Sequence, residues 1–169
     1  MGKSPKKDAT GQSADILVLN GPNLNMLGER EPAIYGRETL DDIARAVEAR
    51  AKSHGLSVDF RQSNFEGHLI SWLQEARRLN RGIVINPAGL GHTSIALLDA
   101  VTVTGLPVIE VHLSNIFARE PFRHHSHISQ AAKGVICGLG SQGYLFAVDA
   151  LAAILSRKPG ARGKSKGRK

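Results

Sequence analysis

Apolar positions along the chain fall into short continuous runs, separated by stretches of helical period, and the two alternate from Ile16 to Ser156. Ile16-Leu17-Val18-Leu19 is the first run. Consecutive apolar residues bounded by turn-formers fit a strand covered on both faces. Gly82-Ile83-Val84-Ile85-Asn86, Pro107-Val108-Ile109-Glu110-Val111-His112 and Gly134-Val135-Ile136-Cys137 predict three more. Leu56-Ser57-Val58-Asp59-Phe60 alternates instead, which predicts a strand at the sheet edge. Leu40, Ile43, Ala44, Val47 and Ala51 recur at helical spacing, from a capping pattern Thr39-x-x-Asp42 to a stop at Gly55. A second helix is predicted over about Gly67–Leu79, with Leu69, Trp72, Leu73 and Ala76 inward. A third follows a cap at Thr93 or Ser94. The last spans Ser141–Ser156, with Leu145, Val148, Leu151, Ala152 and Leu155 inward. Ser114 to Ala132 reads as a loop with a short helix.

Strands alternating with helices predict an α/β protein, a parallel sheet covered on both faces to make a three-layer sandwich. Five strands suit the flavodoxin-like order 2-1-3-4-5, whose crevice opens beyond the carboxyl ends of strands 1 and 3. Polar residues gather there. Asn20 and Asn23 follow strand 1, Asn86 and His92 follow strand 3, and His112, Ser114 and Asn115 follow strand 4. Strands 2 and 5 offer less. That asymmetry marks a site before any chemistry is named.

At 169 residues the chain suits one domain, expected over residues 15–156, with residues 1–14 as a disordered extension. The net charge is +7, but the tail 157–169 holds seven basic and no acidic residues, so the rest of the chain is close to neutral. A Gly/Lys/Arg tail of this kind is expected to be disordered and solubilising, and nucleic acid is not the expected partner. Cys137 is the single cysteine and lies in an apolar run, which predicts a buried, inert thiol. No run is long enough for a membrane span, and MGKSPKKDATG lacks the apolar core of a secretion signal, so a cytoplasmic location is expected.

Residues 26–37 carry charge and glycine without any period, as a mobile lid would, with Gly28 and Gly36 as hinges. Within it stand Arg30 and Tyr35. A nearby guanidinium lowers a tyrosine pKa by about 1–3 units, although a solvated surface pair fits the same residues. His112 closes an apolar strand, and Glu110, two residues back, points to the same side. A carboxylate there can hold or charge the ring, as a general acid needs, although a capping histidine fits equally. The run Gly138-Leu139-Gly140-Ser141-Gln142-Gly143 spells a dinucleotide pattern, but no acidic residue stands about 20 positions on, and helix–strand packing accounts for the glycines. Arg123-His124-His125-Ser126-His127 crowds three histidines that point apart on any regular element, so no metal is expected.

The stretches NGPNLNMLGEREPAIYG (20–36), INPAGLGHTS (85–94), IEVHLSN (109–115), AREPFRHHS (118–126) and GLGSQGY (138–144) resemble, in order and spacing, the type II 3-dehydroquinate dehydratases. The resemblance implies that Tyr35 is the base and His112 the acid. Arg30 would hold Tyr35 as phenolate, and Asn23 would orient a water at the enolate. Asn86, His92 and Arg123 would bind ring hydroxyls, and Leu113 with Ser114 the substrate carboxylate. Glu110 and Arg119 would support these groups, and Asp99 would reach into a neighbouring subunit. It further implies 3-dehydroquinate as substrate, no cofactor, and trimers assembling into a dodecamer, serving aromatic biosynthesis or, by the same reaction, quinate breakdown. A non-catalytic flavodoxin-like module would need an acidic cluster or a flavin-phosphate loop at strand 1, and NGPN supplies neither.

Overall fold

A computed structural model describes residues 13–29 and 38–157. The expectations for residues 1–12 of the N-terminal extension, for Arg30 and Tyr35 with the rest of residues 30–37, and for the tail from 158 onward lie outside the described residues. Ala14, expected in that extension, is instead buried, and its carbonyl accepts from Asn80 Nδ2 at 2.7 Å. Five parallel strands, β1 (Ile16–Asn20), β2 (Val58–Gln62), β3 (Gly82–Asn86), β4 (Val108–His112) and β5 (Gly134–Cys137), form one sheet in the order β2-β1-β3-β4-β5. This is the flavodoxin-like order expected. Between the strands run α1 (Leu40–Ser53), α2 (Glu66–Leu79), α3 (Ile95–Thr104) and α4 (Gln142–Leu155).

Side chains alternate across a strand, so each continuous apolar run feeds both layers at once. Ile16, Val18, Val84, Ile109 and Val111 pack against Ile43, Val47 and Ala51 of α1 and Ala147, Val148 and Leu151 of α4. Leu17, Leu19, Ile83, Ile85 and Val108 face Leu69, Leu73 and Ala76 of α2 and Leu97, Ala100 and Val101 of α3. Every residue of β1, β3 and β4 is buried. The helix starts follow the sequence chemistry. Thr39 Oγ1 accepts from the Asp42 N–H at 3.2 Å, and Asp42 Oδ2 accepts from the Thr39 N–H at 2.9 Å. Ser94, not Thr93, caps α3, accepting from the Leu97 N–H at 2.8 Å.

Several local expectations change. The edge strand starts at Val58, and its buried side chains are Asp59 and Arg61, while Val58 and Phe60 are half-buried. Arg61 Nε and Nη2 donate to Asp59 Oδ2 at 2.9 and 2.6 Å, Nη1 reaches Glu75 Oε2 at 3.2 Å, and the guanidinium lies 5.3 Å from the Trp72 ring centre. A charged pair thus takes a face where alternation alone would place apolar residues. In α4 the fully buried positions are Tyr144, Ala147, Val148 and Leu151, whereas Leu145, Ala152 and Leu155 keep partial exposure. Cys137 is half-buried, because β5 is the other edge and its residues lack a full cover. Residues 114–132 hold three single 3-10 turns, Ile116–Ala118, Pro121–Arg123 and Ile128–Gln130. The glycines around the start of α4 serve geometry: Gly138 and Gly140 have φ of 84° and 55°, and a Cβ on Gly143 would come within 3.3 Å of Val111.

Candidate active site

The parallel register sets Asn20 beside both Gln62 and Asn86, so three carboxamides meet at the carboxyl edge of the sheet. Beyond Asn20 the chain turns away sharply, with the Gly21 N–H donating to the Asn86 carbonyl at 2.8 Å. Asn23 follows in the left-handed region at φ 67°, which asparagine tolerates better than most residues. Its N–H donates to Asn64 Oδ1 at 2.8 Å, and Gln62 Nε2 donates to the same oxygen at 3.0 Å and to the Gly21 carbonyl at 3.2 Å. The end of β2 therefore holds the loop that carries Asn23. Sequence reading gave β2 little part, because two carboxamides after an edge strand carry no periodic signal.

After β3 the chain passes Asn86 and Ala88, whose φ of 52° is rare for a residue with a Cβ, and reaches His92 at the end of a 3-10 turn. His92 Nδ1 lies 2.8 Å from the His125 carbonyl. A carbonyl only accepts, so Nδ1 carries the proton and Nε2 of the neutral ring offers a lone pair. Burial holds the His92 pKa below the usual imidazole range, against the pull of that hydrogen bond, and the nearby positive charges of His112 and Arg123 add to the lowering.

Glu110 and His112 share one side of β4, as two-residue strand spacing requires, and His112 Nε2 lies 2.7 Å from Glu110 Oε1. Glu110 is fully buried. Burial by itself would raise its pKa, but hydrogen bonds from His112, Ser126 and Ser129 outweigh that and hold the carboxyl below the usual range. The two serine hydroxyls donate to Oε1 and Oε2, each at 2.5 Å. An ionised Glu110 accepts from Nε2–H, which leaves Nδ1 as the uncommitted nitrogen of His112. The rings of His92 and His112 stack 5.8 Å apart at 17°. The glycine turn after β5 braces the same stretch: Gly138 N–H donates to the His112 carbonyl at 3.2 Å and Gly140 N–H to the Leu113 carbonyl at 3.0 Å.

These groups open onto a cleft of about 410 Å³. Of the expected site residues, Asn23, Asn86, His92, His112, Leu113, Ser114, Arg119 and Arg123 all line it. Glu110 sits behind His112. Asp99 is exposed on α3 and is not among the lining residues, and the same is true of the exposed Asn115. Arg119 Nη1 reaches Ser114 Oγ at 3.3 Å, and Arg123 Nε donates to Glu120 Oε2 at 2.9 Å while its guanidinium covers the Phe122 ring at 5.1 Å. Glu120, Ser126, Ser129, Gln62 and Asn64 went unread in the sequence. The one signal for the serines was indirect, since a glutamate inside an apolar strand must find donors somewhere. Of the neighbouring histidines, His124 Nε2 lies 3.0 Å from the Arg119 carbonyl and His125 packs edge-on to His127 at 4.8 Å. Among the described residues no group of three or more His, Cys, Asp or Glu could hold a metal ion.

Such an arrangement, with one imidazole backed by a buried carboxylate, a second offering a lone pair, and amide and guanidinium donors around them, suits proton transfer on a small oxygenated molecule. Known proteins with this chain pattern are many. A 3-dehydroquinate dehydratase of Streptomyces coelicolor is 58% identical over 143 residues, covering 84% of this chain and 91% of its own. One of Brucella canis is 59% identical over 139 residues, covering 82% and 88%. The crystal structure of a type II dehydroquinase from Propionibacterium acnes superposes with a TM-score of 0.80 at 48% identity, covering 84% of this chain and 98% of that one. The family described as dehydroquinase class II matches residues 14–152, so the segment that builds both the sheet and the cleft is the segment the family defines, and the chain belongs to it.

Proposed function

We propose that this protein removes water from 3-dehydroquinate to give 3-dehydroshikimate, with His112 as the general acid. What carries the reading is the Glu110–His112 pair at the wall of a cleft also lined by Asn86, His92 and Arg123, in a chain of this family. The ketone at C3 already acidifies the C2 proton, so the chemistry needs a base, a stabilised enolate and an acid, and no cofactor. Tyr35, outside the described residues, is the proposed base, with Arg30 favouring its phenolate. Proton loss at C2 gives the enolate, whose oxygen a water held by Asn23 stabilises. The enolate then expels the C1 hydroxyl, which takes a proton from His112 and leaves as water. Nδ1 is the nitrogen suited to that delivery, because Nε2 is committed to Glu110. His92 Nε2 offers an acceptor to a substrate hydroxyl, Asn86 and Arg123 offer donors, and Leu113 with Ser114 take the carboxylate, with Arg119 in support. The lysines among the described residues, Lys52 and Lys133, are exposed and lie ahead of β2 and β5, at the opposite end of the strands from the cleft, which favours acid–base over Schiff-base chemistry.

The direct test is to supply 3-dehydroquinate and follow the conjugated enone of the product. Turnover is expected, and its absence in folded protein would sink the proposal. Assembly into trimers and dodecamers belongs to the same reading. The exposed face of α3 carries Ile95 and Val103 beside Asp99, an apolar surface suited to a second copy. No helix of the described residues is long and apolar enough to cross a membrane, and a cytoplasmic location is proposed on the family's metabolic chemistry. If Asp99 completes a neighbour's site, Tyr35→Phe and Asp99→Ala chains should each be nearly inactive, yet regain activity when unfolded and refolded together. Mixed oligomers as inactive as their parents would remove Asp99 from the site.

A further inference from the structure

Tyr144 lies in the first turn of α4 and is fully buried between the ends of β1 and β3, outside the cleft lining. Its hydroxyl lies 2.6 Å from Asn20 Oδ1 and 2.9 Å from Asn86 Nδ2. Asn20 and Tyr144 are fully buried, so both must find their partners inside the protein, while Asn86, 3% exposed, also lines the cleft.

The direction of each bond follows from the two ends. At one end Asn86 Oδ1 receives the Ala88 N–H at 3.2 Å, and a backbone N–H can only donate. The Asn86 amide group therefore points at Tyr144, and the phenol oxygen accepts. The single phenol proton then goes to Asn20 Oδ1. At the other end Asn20 Nδ2 meets the Arg61 carbonyl at 3.0 Å, which can only accept, and the assignment closes without conflict. Burial pushes the Tyr144 hydroxyl further from ionisation, so it keeps its proton at neutral pH.

A carboxamide can present either of its ends to a ligand, and here the Ala88 N–H and the Tyr144 hydroxyl together leave one arrangement. We propose that Tyr144 is a positioning residue that fixes Asn86 with an amide N–H donor toward the cleft, so that the site reads a substrate hydroxyl as an acceptor. Asn86 has one Nδ2 proton beyond the bond to Tyr144, and it lines the cleft. The same hold steadies the Asn86–Ala88 turn, in which Ala88 keeps its unusual φ of 52° and forms part of the cleft wall. Tyr144 touches no substrate; it acts through Asn86. The proposal rests on the reading that Asn86 contacts substrate.

The test is a double-mutant cycle on steady-state constants with 3-dehydroquinate. Tyr144→Phe should raise KM about fivefold to tenfold while kcat changes by less than about twofold, the pattern of lost ground-state contact. In an Asn86→Ala background the same substitution should add less than about twofold, because its target is gone. A folded Tyr144→Phe enzyme with wild-type KM overturns the proposal, and so do penalties that multiply in the double variant. Asn86→Ala with wild-type KM overturns the site assignment along with it, whereas an impaired Asn86→Ala with multiplying penalties overturns Tyr144 alone. Should Tyr144→Phe not fold, Asn20→Ala leaves the phenol in place and removes the acceptor of its proton. It should raise KM similarly and be masked by Asn86→Ala; a wild-type KM or independent penalties would again refute the idea.

Discussion

Two strands of this sheet each carry a buried acid and a buried base two residues apart, and only one of the pairs reaches the cleft. On β2, Asp59 and Arg61 close upon each other, with Glu75 and the face of Trp72 completing the guanidinium's surroundings. On β4, Glu110 and His112 are as close, but the partners are distributed differently. The carboxylate is saturated by His112, Ser126 and Ser129, while the imidazole keeps Nδ1 at the cleft wall. Arg61 cannot give up its proton in a protein, so a buried arginine can only be solvated. Histidine can lose and regain one near neutral pH. A buried ion pair is therefore no mark of a site by itself. What marks one is a titratable member with a position left over and room in front of it.

Three variants probe that contrast. His112→Ala should cost about 10²–10⁴-fold in kcat, the usual loss on removing a general acid, with the protein still folded. A loss below about tenfold would move the acid elsewhere. Arg61→Ala should do the opposite. Leaving Asp59 buried without its partner should destabilise by about 3 kcal/mol or more, read as a denaturant midpoint, with kcat per folded molecule within about twofold of wild type. If it instead abolished turnover at unchanged stability, the division between the two pairs would fail. The smallest effect is expected on removing both Ser126 and Ser129 hydroxyls. Glu110 titrates below its ordinary value in the folded protein, so its contribution to stability is full above the unfolded pKa and is lost as pH falls through the folded one. Alanine at both positions should raise the folded pKa, weakening the protein at neutral pH and moving acid unfolding to higher pH. An unmoved acid midpoint would mean that the serines do not hold the carboxylate.

The contrast also accounts for what could be read beforehand. The apolar runs of β1, β3 and β4 announced central strands because burial on both faces leaves no room for alternation. Their polar ends, Asn20, Asn86 and His112, then announced the crevice, since strand order puts those ends together. Glu110 could be paired with His112 on strand geometry alone. The roles of Asp59 and Arg61 could not, because an edge strand with alternating residues permits either face to be the covered one. Ser126 and Ser129 were hidden for another reason. They reach Glu110 from 16 and 19 residues away, Ser126 from the irregular stretch between two 3-10 turns and Ser129 from within the second, and such segments leave no period in sequence. Tyr144 stood in a quoted motif yet read as the start of a helix, since nothing local distinguishes a tyrosine whose hydroxyl is needed from one that only fills space.

Gly21 sets a limit on redesign. A Cβ there would lie 2.4 Å from the Pro87 carbonyl oxygen, and that oxygen is backbone, unable to swing aside as a side chain could. The loops leaving β1 and β3 are thus bolted together at the crevice floor, and the Gly21–Asn86 hydrogen bond adds a second fastening. A library aimed at bulkier substrates would gain nothing by diversifying this joint. Extra room has to come from side chains elsewhere in the lining, such as Met26 and Ile116, which can be shortened without touching this joint.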